Sequence, residues 1–449
     1  MKRMVKVGVL SLVTALVLAG CFDGGNNHAN HMGQPAGNTQ SESNGEQSGN
    51  IQSQPAVTGN LPWIASKNTT RVNSSDPAQA AVLVSQMLWM ATSDMNRPGG
   101  VILANAEDWQ TVVVSANLIH HPNDGPILFV DKDGIPDVTR NELTRLRPKG
   151  VEMNDGIQVM LVGDLDQAVE EQAIEMGFKT DKITADNPAA LAKEVDAYYS
   201  EVTGEISQSV IVGSMDSMEY TMPAINWVAH MPEPLLYVTE NEIPQGTIDA
   251  LNARGGNANI YLLGPEAVIS AAVEEQLGEY GTVVRIAGDD PYKNAIAFSR
   301  YKDPATGFGW GITTPGHAFS FVSMDSPELA LGAAPFSHLG KHTPLLWTDK
   351  DSMPDSVMDY VMSVQPKYEE SPTEGPYNHS WLTGDANALT MAAQGEIDAM
   401  LEIVSASGEG HGGHGGDTSG NDSSSEGSQS NEDSEDSESG SNAGGHAGH

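Results

Sequence analysis

The chain has 449 residues, a single cysteine, and 60 acidic against 22 basic residues, a formal net charge of −38. A surface this acidic excludes nucleic acid as a partner by repelling its phosphates. One cysteine excludes an internal disulfide, so the fold must hold by packing alone.

Residues 1–21 begin with Lys2, Arg3 and Lys6, continue as an apolar run from Val7, and end in Leu18-Ala19-Gly20-Cys21. The charged start and short apolar core predict a signal peptide rather than a membrane span. The ending resembles a bacterial lipobox, which implies diacylglycerol on Cys21 and a lipid-anchored, extracytoplasmic protein facing the cell wall. Residues 22–60 carry Gly, Asn, Ser and Gln with no Lys or Arg. They are expected to be a flexible tether.

A repeat of about a hundred residues then occurs three times. Its clearest trace is a Pro-led strand: Pro126-Ile-Leu-Phe-Val130, Pro234-Leu-Leu-Tyr-Val238 and Pro344-Leu-Leu-Trp-Thr348. Each is followed at the same distance by Pro136, Pro244 and Pro354. Asp76-Pro77, Asn187-Pro188 and Asp290-Pro291 read as N-caps with proline at the first helical position. Short apolar runs at Val101–Ala104, Val210–Val212 and Phe319–Val322 alternate with helical patterns. That alternation predicts βαβ units with parallel sheets. The copies are placed at 61–179, 180–281 and 282–408. The last carries an insertion near Gln365–Asn378, expected to be a surface loop. Residues 409–449 form an acidic tail rich in His, Gly and Ser, expected to be disordered.

The segment Arg285-Ile-Ala-Gly-Asp289, with its counterparts Lys182-Ile-Thr-Ala-Asp186 and Arg71-Val-Asn-Ser-Ser75, resembles the cell wall-binding repeat type 2 family. So does the order of strand, acidic loop, small-residue helix and Pro-led strand. The resemblance implies three tandem Rossmann-like or Toprim-like α/β units in a pseudo-threefold arrangement. It also implies non-covalent binding of an anionic wall polymer, and no enzymatic activity. The sequence does not say whether a threefold arrangement arises within one chain or between chains.

Several constellations bear on the ligand. Residues 61–408 hold 19 basic against 48 acidic residues, a formal −29, so attraction to an anionic polymer must be local. Arg140, Arg145, Arg147 and Lys149 are the densest basic cluster; they could meet phosphate or form a solvated helix face paired with acids elsewhere, in which case a divalent cation could bridge protein and polymer. Ser214 and Asp216, with Ser323 and Asp325, lie in repeated Ser-Met-Asp-Ser loops after a strand. They could bind sugar hydroxyls or simply cap helices. Asp131-Lys-Asp133 and Asp349-Lys-Asp351 read as helix-capping acids rather than metal ligands. His120, His121, His230 and His338 end corresponding helices, where a cation would be favoured. In the tail, His411, His414, Asp417, His446 and His449 could bind divalent metal weakly. That gives an alternative function, a surface metal-binding or metal-buffering lipoprotein. No other cofactor is expected.

Overall fold

The computed structural model describes residues 61–407. Cys21, the tether and the tail, with His411, His414, Asp417, His446 and His449, lie outside the described residues.

A hairpin of β1 (Trp63–Ala65) and β2 (Thr69–Val72) opens the fold. Copy one contributes β3 (Val101–Ala104), β4 (Ile127–Phe129) and β5 (Val159–Val162). Its sheet is completed by β6 (Thr180–Ile183), the first strand of copy two, in the order β4-β3-β5-β6. Copy two supplies β7 (Ser209–Ser214), β8 (Leu235–Val238) and β9 (Ala258–Leu263). Its sheet takes β10 (Gly281–Ile286) from the opening of copy three, in the order β10-β9-β7-β8. Copy three supplies β11 (Ala318–Ser323) and β12 (Leu345–Thr348). It also holds β13 (Lys367–Tyr368), β14 (His379–Thr383) and β15 (Val404–Ser405). β13 and β15 pair as a small separate sheet, so the inserted loop carries a strand of its own.

The third main sheet closes in the same manner, but with β2, from the start of the described chain. Its order is β1-β2-β14-β11-β12, with Ser380 opposite Thr69 and Thr383 opposite Val72. All strand pairs in the three main sheets are parallel except the β1–β2 hairpin. The sequence boundaries at 179/180 and 281/282 therefore mark repeats of pattern, whereas each sheet draws its last strand from the next repeat.

Local chemistry explains why the repeats fold alike. Asp76, Asn187 and Asp290 each accept from the backbone N–H three residues on, at 2.7, 2.9 and 2.8 Å, before Pro-started helices. Pro136, Pro244 and Pro354 stand at the N-caps of the helices Asp137–Leu146, Gln245–Asn252 and Asp355–Ser363, with φ and ψ near −60° and 150° in each. The last strand of each unit ends at Gly163, Gly264 or Gly384, with φ of 98°, 132° and 135°. That backbone region suits glycine alone. Each of these amides donates at 3.0 Å to the strand arriving from the next repeat, at Ile183, Ile286 or Val72.

The same position in that arriving strand carries a clasp. Arg71 is fully buried and donates to Gln394, Gly384, Asp385, Leu389 and Thr390. Arg285 bonds Glu274 and the Gly264 carbonyl. Lys182 bonds Glu170. In each case the basic side chain reaches the final helix of the preceding unit. Burial of Arg71 lowers its pKa to about 10, with nearby Asp385 opposing that shift.

Candidate functional site

The sequence placed ligand chemistry at the carboxyl ends of the strands. There the Ser214 Oγ accepts from the Asp216 amide at 3.1 Å, and Ser323 Oγ from Asp325 at 3.2 Å. Copy one makes the equivalent turn with Asn105, whose Oδ1 accepts from Glu107 at 3.0 Å. Both serines are buried, and their hydroxyls hold the loop's own backbone. The acids of Asp131-Lys-Asp133 and Asp349-Lys-Asp351 do not cap the following helices. Prolines occupy those N-caps without a side-chain bond.

The basic cluster divides in two. Arg140 donates to Gln172 and the Ile135 carbonyl. Arg145 forks onto Glu142, at 2.8 and 2.6 Å, and donates to the carbonyls of Trp89 and Met90. The Glu142 side chain is fully buried and also accepts from Ser85 and Gln86. Arg147 and Lys149 are exposed. Arg147 is also the helix C-cap, with a left-handed φ of 43°.

A different constellation forms at the amino ends of the strands. Each small-residue helix runs back from the carboxyl edge of its sheet, so its last residue arrives at the opposite edge. His120, His230 and His338 thereby converge, with one ring nitrogen from each within 4.8 Å of the other two. His120 Nδ1 donates to the His230 carbonyl at 2.6 Å, from copy one to copy two. His230 Nε2 meets His342 Nδ1 at 2.9 Å, from copy two to copy three. His338 Nε2 donates to Asp124 at 3.1 Å, from copy three to copy one. The His120 ring stacks on His121 and lies beside His338, at centroid distances of 4.1 and 4.4 Å. Burial drives the His230 pKa down to about 4, with His342, His120 and His338 adding to the shift. Burial lowers His120 as well, against a gain from the His230 carbonyl. His230 is therefore neutral at pH 7, and not the helix-end cation the sequence suggested.

His342 also lines a cavity of about 660 Å³ over the amino ends of β11 and β14. Lys67, Lys341, His317, His379, Trp310 and Tyr377 line it, and Lys67 is ion-paired with Glu402 and Asp398 just outside that lining. Lys341 lies 5.7 Å over the Trp381 ring, and burial lowers its pKa. Lys341 and His342 both take left-handed φ, 80° and 55°. Such backbone strain in non-glycine residues clusters at functional sites. All seven histidines of the described residues belong to the cluster, stack on it or line this cavity. The signal available in the sequence was the spacing of His120, His230 and His338 at one copy length.

No family model matches the chain. Its fold is similar to those of Cwp6 and Cwp8 from Clostridium difficile, with TM-scores of 0.56 and 0.57 at 16% identity. These matches cover 75% of this chain, and 48% and 52% of the two solved chains. Over 181 residues the chain is 26% identical to the Amidase enhancer of Bacillus subtilis, 39% of this chain and 24% of that protein. The chain thus spans about a quarter of the length of this curated relative. Among the described residues, no helix is long and apolar enough to cross a membrane.

Proposed function

We propose that this is a cell-envelope-associated, lipid-anchored protein whose three α/β units hold an anionic wall polymer non-covalently. The likeness in fold to the cell wall proteins Cwp6 and Cwp8 supports the envelope setting. A pseudo-threefold arrangement within one chain is supported by the sheet pairing, in which every unit borrows the opening strand of the next. The observation that carries the binding role is the cavity with Lys341 over the Trp381 ring, at whose edge Lys67 is shared with Glu402 and Asp398. In a folded region so rich in acids, a cleft with two lysines, three histidines, two aromatic rings and no carboxylate in its lining is where phosphate and sugar could be held together. Arg147 and Lys149, exposed at the end of their helix, form a second basic contact in this proposal.

The test is cosedimentation of the full-length protein with purified walls, before and after the anionic polymer is stripped. Stripping should release the protein. Replacing Lys67 and Lys341 together by Ala should weaken retention more than tenfold, a loss of about 1.4 kcal/mol. Retention unchanged by both treatments would overturn the assignment. Arg147→Ala with Lys149→Ala measures the other basic contact separately.

A further inference from the structure

Three histidines from three units meet at one point, and nothing in the polymer-binding proposal uses them. We propose that His120, His230 and His338 form a binding site for one divalent transition metal of the kind imidazole favours, zinc foremost.

The geometry is close to what such an ion needs. Three nitrogens no more than 4.8 Å apart all lie within about 2.8 Å of a common point, against roughly 2.0–2.1 Å for a zinc–nitrogen bond.

The surrounding bonds prepare the rings as ligands. A metal-bound histidine characteristically donates its other N–H to a carbonyl, carboxylate or similar acceptor, which fixes the tautomer. All three rings have such a partner here. His120 Nδ1 donates to the His230 carbonyl, leaving Nε2 with its lone pair. His338 Nε2 donates to Asp124, leaving Nδ1. His230 Nε2 can donate to His342 Nδ1, leaving its own Nδ1, which is buried and has no hydrogen-bond partner. An orphaned buried nitrogen in a cluster of three histidines calls for an explanation, and a shared cation supplies it.

Three imidazoles leave a fourth tetrahedral position for water. Because each ligand comes from a different repeat, the ion would fasten all three units at once. This site is distinct from the tail histidines, which lie outside the described residues.

The experiment uses full-length protein stripped of metal and titrated with Zn²⁺, following thermal unfolding, and with Co²⁺, following its visible absorption. One equivalent of Zn²⁺ should raise the unfolding temperature by several degrees, and Co²⁺ should show the intense bands of a tetrahedral site. Both responses should vanish in His230→Ala and persist when His411, His414, His446 and His449 are all replaced by Ala. Asp124→Asn keeps the shape but weakens the acceptor, and should lower affinity roughly 10–100-fold. The proposal fails if Zn²⁺ leaves the wild-type unfolding temperature unchanged, if the shift survives in His230→Ala, or if it disappears with the tail histidines. Should His230→Ala not fold, an unchanged Zn²⁺ affinity in Asp124→Asn overturns it instead.

Discussion

Arg71 Nη1 donates to the Gly384 carbonyl at 2.8 Å across 313 residues of sequence. The bond joins the opening strand of the described chain to the last unit. Its guanidinium is buried and makes five hydrogen bonds, four of them to backbone carbonyls. Charge-assisted bonds of this kind are worth about 1.5–3 kcal/mol each, and truncation leaves the acceptors unpaired. Arg71→Ala should destabilise the fold by about 3–5 kcal/mol, the range for breaking a buried charged network. Urea unfolding of the variant checks this, and amide exchange should show the loss first in β2 and β14.

Arg145→Ala should be destabilising through Glu142, whatever its effect on ligand. The carboxylate is fully buried, and among the described residues Arg145 is its only cationic partner in an ion pair. Removing one member of a buried pair costs about 3–5 kcal/mol because the other charge is left stranded. The variant's denaturant midpoint should fall sharply, while Arg147→Ala, exposed, should shift it little. A wall-binding deficit in a variant lacking Arg145 therefore has to be read beside its stability.

Stability should fall as the solution is acidified from about pH 6.5 toward pH 4. Burial of His379, with Lys341 beside it, pushes its folded pKa down to about 4, against roughly 6.5 in an unfolded chain. Between those values the unfolded state takes up a proton and the folded state does not. The neutral ring's contribution is thus whole above pH 6.5 and lost on descending through that window. Replacing His379 by Gln should flatten this part of the stability profile, measured by unfolding at a series of pH values.

Gly384→Ala should cost more than an ordinary surface substitution. The residue sits at φ 135°, and a new Cβ would lie 2.9 Å from the Ala388 Cβ. The last strand and the loop that receives Arg71 would both have to move. Thermal unfolding of Gly384→Ala against Gly395→Ala, where an added Cβ meets nothing, separates this strain from a general glycine effect.

Much of the scaffold could be read from the chain because the devices that make it are local. Proline after Asp or Asn starts a helix by rigid geometry and a side-chain bond three residues away, and that pattern survives in any one copy. The closing of the third sheet by β2 could not be read. Its partner strand begins at His379, and no short-range pattern distinguishes a strand that joins its own unit from one that joins another. The histidines were visible as repeated helix ends but were assigned a positive charge there. That reading missed desolvation, which depends on the two other units and keeps His230 neutral. The aromatic and cationic cavity was equally hidden, since Lys67 meets Trp310, Lys341 and Tyr377 only once β2 has paired with β14.

The pairing of β2 with β14 also sets an order of assembly. During synthesis β2 is the second strand of the described chain to appear, yet the neighbour it needs is made after almost all the rest. Until then its edge is open, and exposed strand edges invite pairing with other chains. The first two units can complete their sheets from the strands that immediately follow them. A chain stopped short of β14 would hold two finished sheets and one strand with no place to go. Closure of the third sheet is thus registered in β2, when Arg71 finds the carbonyl of Gly384.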